Sequence, residues 1–538
     1  MWASRLKSTP NGLWKLVKAT GNANHRADFS SLVPEYGSIS NLLTKIANIL
    51  SRKFSPTGTY RTDISEGIWN VTFTEYEVYQ MLRSLKCNKS PGIDKVPTKV
   101  YKILADHLAK PLSVVFNTSI QHRVFPQLWK KGLIIPVPKT NPPTLTNIRY
   151  LTLLPVPSKI LEKLVLKKLW SFFSASYGPE QHGFRHGAST TTALLQLTDD
   201  VTSMFDDVSN TDMAVLSFDM SSAFDNVDHN SLLNIMRKNG FPTGFIAWLC
   251  NYLSERSGFV KLDDCYSPEV KICRGVPQGS VLGPPNFCAY IGRINSLNYD
   301  VKVMKYADDI SLVVSSKQND KAAFREKLEA EIQNIEEQAE GLHLSMNLAK
   351  SKAIIISRSK SHSDLKLSIP IEKCVKILGV IINSRLQWDS HIEYVIKKAS
   401  QRLHILRRLT QLVTQRENHD IHVAIVRSLL EYACPVFVGL NKTLSKKLQQ
   451  LDNRAHRIIF GSDKTNWHCS CTTLQERRMK LSKTTLNHIQ KFPQHILHDR
   501  LPETLKYTKQ FSIPFCRTEK RKSSFFPFTT THINMFPS

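Results

Sequence analysis

The sequence predicts an α+β fold with a strand-rich middle and a helical C-terminal part. Apolar runs typical of buried strands gather between about residues 212 and 383. Helical patterns interrupt these runs at irregular intervals, which favours α+β over a regular alternation of the two elements. From about residue 389 to 460 the pattern is helical and rich in lysine and arginine, and the chain has no internal repeat.

The first elements are predicted to be helices. Residues 39–50 form an apolar helix candidate within a mixed segment rich in serine, threonine and asparagine. Thr74 caps the next helix, and Glu77 stands at the capping-box position. The stretch "KSPGID" breaks that helix with a proline and a glycine. A further helix is expected at about 98–120.

Strands and helices then alternate through the middle of the chain. The prolines of "KGLIIPVPK", residues 131–139, predict an edge strand. The stretch "SKILEKLVLKKLWSFF" predicts an amphipathic helix with a basic face. Residues 212–225 read as a buried strand that runs directly into a turn. A helix follows from about Asp228, and Gly240 is its expected C-terminal stop.

A glycine–proline loop, "ICRGVPQGSVLGP", precedes an apolar helix and then the stretch "KVMKYADDISLVVSS", which predicts two short strands. The segment 320–341 predicts an amphipathic helix that ends at Gly341. Its apolar face consists of Phe324, Leu328, Ile332, Ile335 and Ala339. The runs "SKAIIIS" and "CVKILGVIIN" predict further strands.

The charge balance favours a polyanionic partner. The 538 residues include 72 lysines and arginines against 45 acidic residues, a formal net charge of +27. The excess is spread along the chain, and a solvated surface needs no such imbalance. A merely soluble basic protein is the alternative, but nucleic acid is the favoured partner.

The cysteines indicate a reducing, intracellular compartment. Ten cysteines are scattered without paired spacing, and "HCSC" at 468–471 lacks a second half at zinc-finger distance. We therefore expect no secretion and a location in the nucleus or cytoplasm. No stretch approaches the length of a membrane span. The basic first 27 residues are only weakly similar to a mitochondrial presequence, and an ordinary basic helix explains them better.

Three aspartates are the candidate catalytic residues. Asp219 ends a buried strand, whereas Asp308 and Asp309 follow the start of another. If the two strands are antiparallel neighbours and Asp308 lies at a hairpin tip, the carboxylates converge. Their repulsion then calls for a counter-charge, for which Mg²⁺ or Mn²⁺ is the fitting cation. Two such ions about 3.5–4 Å apart serve in-line phosphoryl transfer. The alternative is two surface aspartates on a turn.

The motifs around these aspartates resemble the palm motifs of reverse transcriptases. "FDMSSAFDNVDH", "GVPQGSVLGP" and "KYADD" match in order and spacing. Flanking stretches such as "EQHGFRHGASTTTALLQL" and "LHLSMNLAKSKAIIIS" are similar to the non-LTR (LINE-like, jockey-type) retrotransposon enzymes. The resemblance covers residues 70 to 460, and more loosely "IPFCRTEKRKSSFFPF". Group II intron maturases share "YADD" but usually differ in the glycine loop.

The resemblance implies a right-hand polymerase with fingers, a palm with an antiparallel sheet, and a helical thumb. Asp219 and Asp308 are implied as direct metal ligands, with Asp309 weaker. Phe224 matches the aromatic that excludes a ribose 2′-OH, although core packing would also explain it. Lys350 matches a lysine that protonates pyrophosphate, or it belongs to a solvated basic face.

The remaining implied contacts concern nucleotide, template and primer. Basic residues of the fingers meet the triphosphate; these are Arg149 and, less directly, Lys139 or Lys131. Gln278 and Gly279 match the loop along the incoming base, and Leu378 and Gly379 match the primer grip. Cations of the predicted thumb track the phosphates of a template–primer duplex; these are Lys397, Lys398, Arg402, Arg407 and Arg408.

The predicted domain division follows from this resemblance. Residues 1–70 are an N-terminal extension too short for an endonuclease, and 71–385 are fingers and palm. Residues 386–462 are thumb-like, and 463–538 are a basic C-terminal region. Tyr150 stands where the family usually has proline, beside Arg149, and is expected to blunt activity.

The predicted function is RNA-directed DNA synthesis from deoxynucleoside triphosphates, with Mg²⁺ or Mn²⁺, an RNA template and a DNA primer. An endonuclease or RNA-binding protein encoded elsewhere is a further implied partner, and no membrane is involved. The alternative is an inactive element remnant, or a host-adapted protein, that only binds nucleic acid.

Overall fold

A computed structural model describes residues 29–55, 69–317, 320–357, 365–461, 473–504 and 510–535. Of the sequence features above, the basic N-terminal stretch and "HCSC" lie outside these residues. Within them, no helix has the length and apolarity needed to cross a membrane.

Fifteen helices of six or more residues lie within the described residues, and shorter helical turns occur between some of them. In chain order they are α1 (Ile39–Lys53), α2 (Glu75–Arg83), α3 (Thr98–Ile103), α4 (Ala105–His122), α5 (Val156–Ser176), α6 (Thr190–Asp206), α7 (His229–Lys238), α8 (Thr243–Leu253), α9 (Gly283–Ile291), α10 (Lys321–Gly341), α11 (Asp389–Leu409), α12 (Gln415–His422), α13 (Lys442–Phe460), α14 (Leu474–Lys491) and α15 (Phe525–Met535). The strands are β1 (Lys131–Pro138), β2 (Ile148–Leu153), β3 (Asp212–Phe218), β4 (Arg256–Leu262), β5 (Cys265–Tyr266), β6 (Val270–Ile272), β7 (Lys302–Tyr306), β8 (Asp309–Ser316), β9 (Lys352–Ser357), β10 (Cys374–Ile377) and β11 (Val380–Asn383).

The helix predictions hold with two corrections. The helix expected at 98–120 is two helices, because the backbone leaves helical geometry at Leu104. Gly341 is still helical, and the left-handed residue after the helix is His343. The capping box of Thr74 and Glu77 is present, and the helix expected from about Asp228 begins at His229, with the Asp228 side chain as its cap.

The central sheet has four antiparallel strands in the order β7-β8-β3-β9. Alternate residues of β3 face opposite sides, as a pleated strand requires. Leu216 belongs to the larger hydrophobic cluster, and its neighbour Val215 belongs to a second cluster on the other face. Because both faces are covered, β3 is apolar along most of its length.

The prediction of an edge strand at 131–139 is wrong. β1 lies between β2, to which it is antiparallel, and β4, to which it is parallel. Only Lys131–Ile134 pair with β4, so Pro136 and Pro138 lie beyond that pairing. The prolines therefore lie at the end of β1 that pairs with β2 alone. The sequence pattern did not show that the other end of β1 pairs with two strands.

The helical C-terminal part packs on the second face of the central sheet. Side chains of α11, α13, α14 and α15 share one cluster with Val215, Val313 and Ile354 of the sheet. The last 75 residues look polar in sequence, yet Phe525 and Phe526 are buried in this cluster. The α+β prediction is confirmed, whereas the division into a thumb and a separate C-terminal region stays a prediction.

Candidate active site

Asp219 lies directly after β3, and a loop between α10 and β9 holds its backbone. The N–H of Asp219 donates to the Ser351 Oγ at 3.1 Å. The carbonyl of Asp219 accepts from the N–H of Asn347 at 2.8 Å. Ser351 itself donates to the carbonyl of Asn347. Both peptide groups of Asp219 are therefore fixed by residues more than 120 positions away.

Asp308 lies in the tight turn between β7 and β8, as the sequence predicts. Tyr306 pairs with Asp309 across the hairpin, and Ala307 has a positive φ of 54°. The side-chain oxygen of Gln181 accepts from the N–H of Ala307 at 2.9 Å and from that of Gly183 at 2.7 Å. A Cβ on Gly183 would collide with Ala307, so glycine is required there.

The carboxylates repel one another across the end of the sheet. Burial raises the pKa of Asp308, and the negative charge of Asp219 raises it further. Burial also raises the pKa of Asp309, to about 6, with added repulsion from Asp308 and Asp219. The charge of Asp219 acts on both, so its carboxylate lies near those of Asp308 and Asp309, and their convergence on one metal site stays a prediction.

This donor set fits a divalent cation. The three carboxylates supply hard oxygen ligands, which Mg²⁺ and Mn²⁺ prefer. The raised pKa values of Asp308 and Asp309 show anions that the chain itself leaves incompletely compensated. A cation bound between Asp219 and Asp308 would remove that repulsion.

The predicted triphosphate-binding cations lie near the aspartates. The positive charges of Arg149 and Lys139 both act to lower the pKa of Asp308, against its burial. Arg149 and Leu151 point to the exposed face of β2, whereas Tyr150 points to the buried face. Lys131 is in an ion pair with Glu269, so Lys139 fits the expected role better than Lys131.

Tyr150 packs away from Arg149 and against the N-terminal helix. It belongs to a small hydrophobic cluster with Leu43 and Ile46 of α1. The Lys53 Nζ lies 5.6 Å from the centre of the Tyr150 ring. The expected interference with Arg149 is not seen in the geometry, because successive side chains of a strand point to opposite faces.

Phe224 lies in the helical turn Ala223–Asp225, five residues after Asp219. Its half-buried ring stacks on Phe287, with the ring centroids 4.1 Å apart. Phe184 approaches its edge at 6.3 Å. The ring is thus held rigidly between two aromatics and still presents part of its surface to solvent, which suits both a gate and a core residue.

Gln278 and Gly279 are held by a polar network that the sequence did not reveal. The Gln278 Nε2 donates to the Asp225 Oδ1 at 2.7 Å, and the Lys53 Nζ bonds the other oxygen at 2.5 Å. The Thr152 N–H donates to the Gln278 carbonyl. A Cβ on Gly279 would collide with the Thr152 carbonyl, which explains the glycine at φ 129°.

A buried carboxylate fixes the other end of this loop. Glu162 of α5 is fully buried and accepts the N–H groups of Val281 and Leu282 at 2.6 and 3.0 Å. It also accepts the Ser158 hydroxyl at 2.8 Å. These two N–H groups directly precede α9, so the carboxylate fixes the loop where it enters the helix. The amphipathic pattern of α5 had suggested only a basic face.

Leu378 and Gly379 form the two-residue turn of the β10–β11 hairpin. Both have positive φ, 45° and 89°, as a type I′ turn requires. The Tyr432 hydroxyl donates to the Leu378 carbonyl at 2.8 Å, and its ring lies against Gly379. Tyr432 also raises the pKa of Tyr306, secondary to burial. One side chain therefore links this turn to the aspartate turn.

The other predicted contacts are less directly connected to the aspartates. Lys350 is exposed on the same loop as Asn347 and Ser351. Lys397 and Lys398 are exposed on α11. Arg402 donates to the carbonyl of Ile425 at 2.7 Å, so part of its guanidinium serves the fold. The site roles of all these residues stay predictions.

The comparisons with known proteins bear on the family and the fold class. The model of the reverse transcriptase (RNA-dependent DNA polymerase) family matches residues 137–382, which include all three aspartates. Residues 137–382 are a reverse transcriptase domain. The match confirms the right-hand polymerase fold class predicted above. Reverse transcriptases generally use divalent metal ions, in keeping with the carboxylate donor set.

Curated relatives of this chain come from non-LTR retrotransposons of Drosophila melanogaster. The probable RNA-directed DNA polymerase from transposon BS is 28% identical over 71% of this chain and 44% of that protein. The probable RNA-directed DNA polymerase from transposon X-element is 26% identical over 80% of this chain and 48% of that protein. The RNA-directed DNA polymerase from mobile element jockey is 27% identical over 76% of this chain and 45% of that protein. The chain thus spans less than half the length of these relatives.

A solved structure shows a weaker likeness. An apo telomerase from Candida tropicalis, truncated from its C-terminal domain, is 13% identical. The matched region covers 55% of this chain and 62% of the telomerase chain, with a TM-score of 0.34. The assignment of the reverse transcriptase domain does not depend on it. Nothing in these comparisons favours the alternative of an inactive remnant.

Proposed function

We propose that this chain is an RNA-directed DNA polymerase of a non-LTR retrotransposon. It extends the 3′-OH of a DNA primer along an RNA template with deoxynucleoside triphosphates and releases pyrophosphate. The observation that carries the proposal is the set of three mutually repelling carboxylates at one end of the β7-β8-β3-β9 sheet, with Arg149 and Lys139 close enough to act on Asp308.

Each residue near the sheet end has a distinct task in this proposal. Asp219 and Asp308 hold the cations, and Asp309 supports them from the second position of the turn. When bound, two Mg²⁺ ions, or Mn²⁺, activate the primer hydroxyl and neutralise charge on the leaving oxygen. Arg149 and Lys139 orient the triphosphate, with the forked guanidinium suited to a phosphate group.

The base and sugar of the incoming nucleotide meet the other elements. Gln278 and Gly279 lie along the base, and Phe224 stands at the ribose. The turn of Leu378 and Gly379 positions the primer end, and Lys350 supplies a proton to the leaving pyrophosphate. Lys397, Lys398 and Arg402 on α11 contact the duplex backbone without reading its sequence.

The direct test is primer extension by the purified chain on an RNA template. We expect Mg²⁺-dependent synthesis that Asp308→Asn reduces by at least about 10³-fold, because losing a ligand costs more than the 10–100-fold typical of its supporting partners. Template–primer affinity, measured by fluorescence anisotropy, should be kept in the variant. A parent protein that binds the template–primer yet never extends it would refute the proposal.

Sugar selection tests the role of Phe224 separately. Phe224→Val removes the ring that stacks on Phe287 and opens the space beside the ribose. We expect the preference for deoxynucleotides over ribonucleotides, as a ratio of kcat/KM values, to fall at least about tenfold. Phe184→Val, which alters a neighbouring ring, is the matched control. Unchanged selectivity in Phe224→Val would return the residue to core packing alone.

A further inference from the structure

Three histidines gather in the helical C-terminal part, outside the sequence motifs quoted above. His419 and His422 lie one turn apart on α12, and His456 lies on α13. One ring nitrogen from each histidine lies within 4.8 Å of a ring nitrogen of each of the other two. His422 and His456 are buried, and His419 is half-buried. Imidazole nitrogens are good ligands for zinc and related first-row metals.

The surroundings of His422 orient it as a metal ligand. Its Nε2 contacts the Asp452 Oδ1 at 3.1 Å, while its Nδ1 is buried and has no hydrogen-bond partner among the described residues. A carboxylate on one imidazole nitrogen, with the other nitrogen left for the metal, is the usual supporting arrangement at zinc sites. The Nδ1 of His456 is bonded to the backbone carbonyl of Asp452 at 2.9 Å. One residue of α13 thus orients two of the histidines.

The local backbone and its electrostatics add two observations. The chain continues from α12 into a π-helical segment, Val423–Arg427, and such segments are frequent at functional sites. Burial lowers the pKa of His419 and of His456, so both imidazoles are neutral near pH 7, the form that binds metal. The Phe460 ring stacks beside His456 and limits solvent on that side.

One positive charge lies at the edge of the cluster. The Arg427 guanidinium is 3.5 Å from the Asp452 Oδ2 and 3.5 Å from the His456 Nε2. It neutralises Asp452 and competes with a metal for His456. In addition, a Zn–N bond of about 2.0–2.1 Å places ligand nitrogens about 3.3 Å apart, so the imidazoles must move together slightly.

We propose that His419, His422 and His456 form a zinc site that links α12 to α13. The three imidazoles supply three ligands, and a water molecule entering beside the half-buried His419 completes a tetrahedral set. Asp452 supports the site by orienting His422. The proposal concerns a second metal of different chemistry from the hard cation at the aspartates, and it does not depend on polymerase activity.

The test measures metal uptake by the full chain after chelation, with Mg²⁺ in excess to occupy carboxylate sites. All samples carry Cys469→Ser and Cys471→Ser, so that "HCSC" cannot contribute. We expect the parent to take up one equivalent of Zn²⁺ and to show a higher unfolding temperature with it. Co²⁺ should give visible absorption of tetrahedral coordination without a near-ultraviolet thiolate band.

His419→Gln is the diagnostic variant, because its half-buried position tolerates a side chain of similar size. We expect Zn²⁺ affinity to fall at least tenfold, while the metal-free unfolding temperature stays the same. His404→Gln, at an exposed histidine of neighbouring α11, is the control and should bind as the parent does. Equal uptake by His419→Gln and parent, or no uptake by the parent, would overturn the site.

X-ray absorption at the zinc edge keeps the proposal testable if the variant does not fold. The loaded parent should show scattering from three imidazole rings around the metal. A shell of oxygen ligands alone would show that the zinc is bound elsewhere and would likewise overturn the site.

Discussion

Asp308 and Asp309 at the end of the central sheet and Asp452 in the helical part have pKa values shifted in opposite directions. At the end of the central sheet, Asp308 and Asp309 have raised pKa values, because repulsion by neighbouring carboxylates adds to the effect of burial. In the helical part, burial also acts to raise the pKa of Asp452, but the hydrogen bond from His422 and the charge of Arg427 outweigh it and the pKa is lowered.

The difference lies in the neighbouring charges, since burial acts to raise the pKa of all three carboxyl groups. Asp452 finds its counter-charge within the chain, so it serves as part of the fold and orients the residues around it. The aspartates at the sheet end are left with a net repulsion that a bound cation or a proton would relieve. Incompletely compensated charge is therefore a property of the proposed active site that Asp452 does not share.

Replacing aspartate by asparagine at the two places should separate these roles most strongly. Asp452→Asn leaves Arg427 buried without its partner, so we expect the free energy of unfolding to fall by about 3–5 kcal/mol. Asp308→Asn relieves repulsion, so the metal-free protein should be at least as stable as the parent. Urea unfolding of all three proteins without divalent metal measures both effects. Similar losses at the two positions would contradict the comparison.

Asp225 allows an intermediate case to be tested, because this buried carboxylate is compensated and still adjoins the proposed nucleotide site. Lys53→Met removes one of its partners, and we expect Gln278 to lose its fixed orientation. The KM for deoxynucleotides should rise about tenfold, equivalent to about 1.4 kcal/mol, with a smaller change in kcat.

Lys45→Met, at an exposed lysine on the same helix, is the control for this experiment and should leave both constants unchanged. Restoration of KM by Lys53→Arg, which keeps the positive charge, would support a positioning role for Lys53. An equal fall in kcat and in stability for Lys53→Met would instead assign the ion pair to the fold alone.

The smallest expected effect is the pH dependence of stability at the sheet end. The pKa of Asp309 is raised to about 6, against about 3.9 for an unfolded aspartate. Because the folded protein binds this proton more tightly than the unfolded chain does, the raised pKa contributes stability. The contribution is complete at a pH below the pKa of the unfolded chain and is lost as the pH rises through about 6.

Without metal, the parent should therefore gain stability relative to Asp309→Asn when the pH is lowered from about 7.5 to about 5. Unfolding temperatures of the two proteins across this range provide the measurement, and saturating Mg²⁺ should abolish the difference. Because Asp309 is partly exposed, the gain should be small. A difference that is independent of pH would show that Asp309 does not titrate in this range.

Short sequence motifs were sufficient to predict where Asp219, Asp308 and Asp309 lie relative to the strands. The apolar run of β3 before Asp219, and the strand–turn–strand pattern around Asp308, each specify local structure that places its carboxylate at a sheet end. The partners that hold those residues were not predictable in this way. Gln181 contacts a turn 126 residues away, and Lys53 contacts Asp225 172 residues away. No local periodicity carries information about such pairs.

The sequence by itself determined the fold class, the order of the elements and the three aspartates, because hydrophobic periodicity and turn chemistry act over a few residues. Only the tertiary structure decided that β1 has two neighbours, that Tyr150 faces α1 and not Arg149, and that His456 joins His419 and His422. These outcomes depend on which surfaces bury one another, and in this chain that choice is made between segments separated by tens to hundreds of residues.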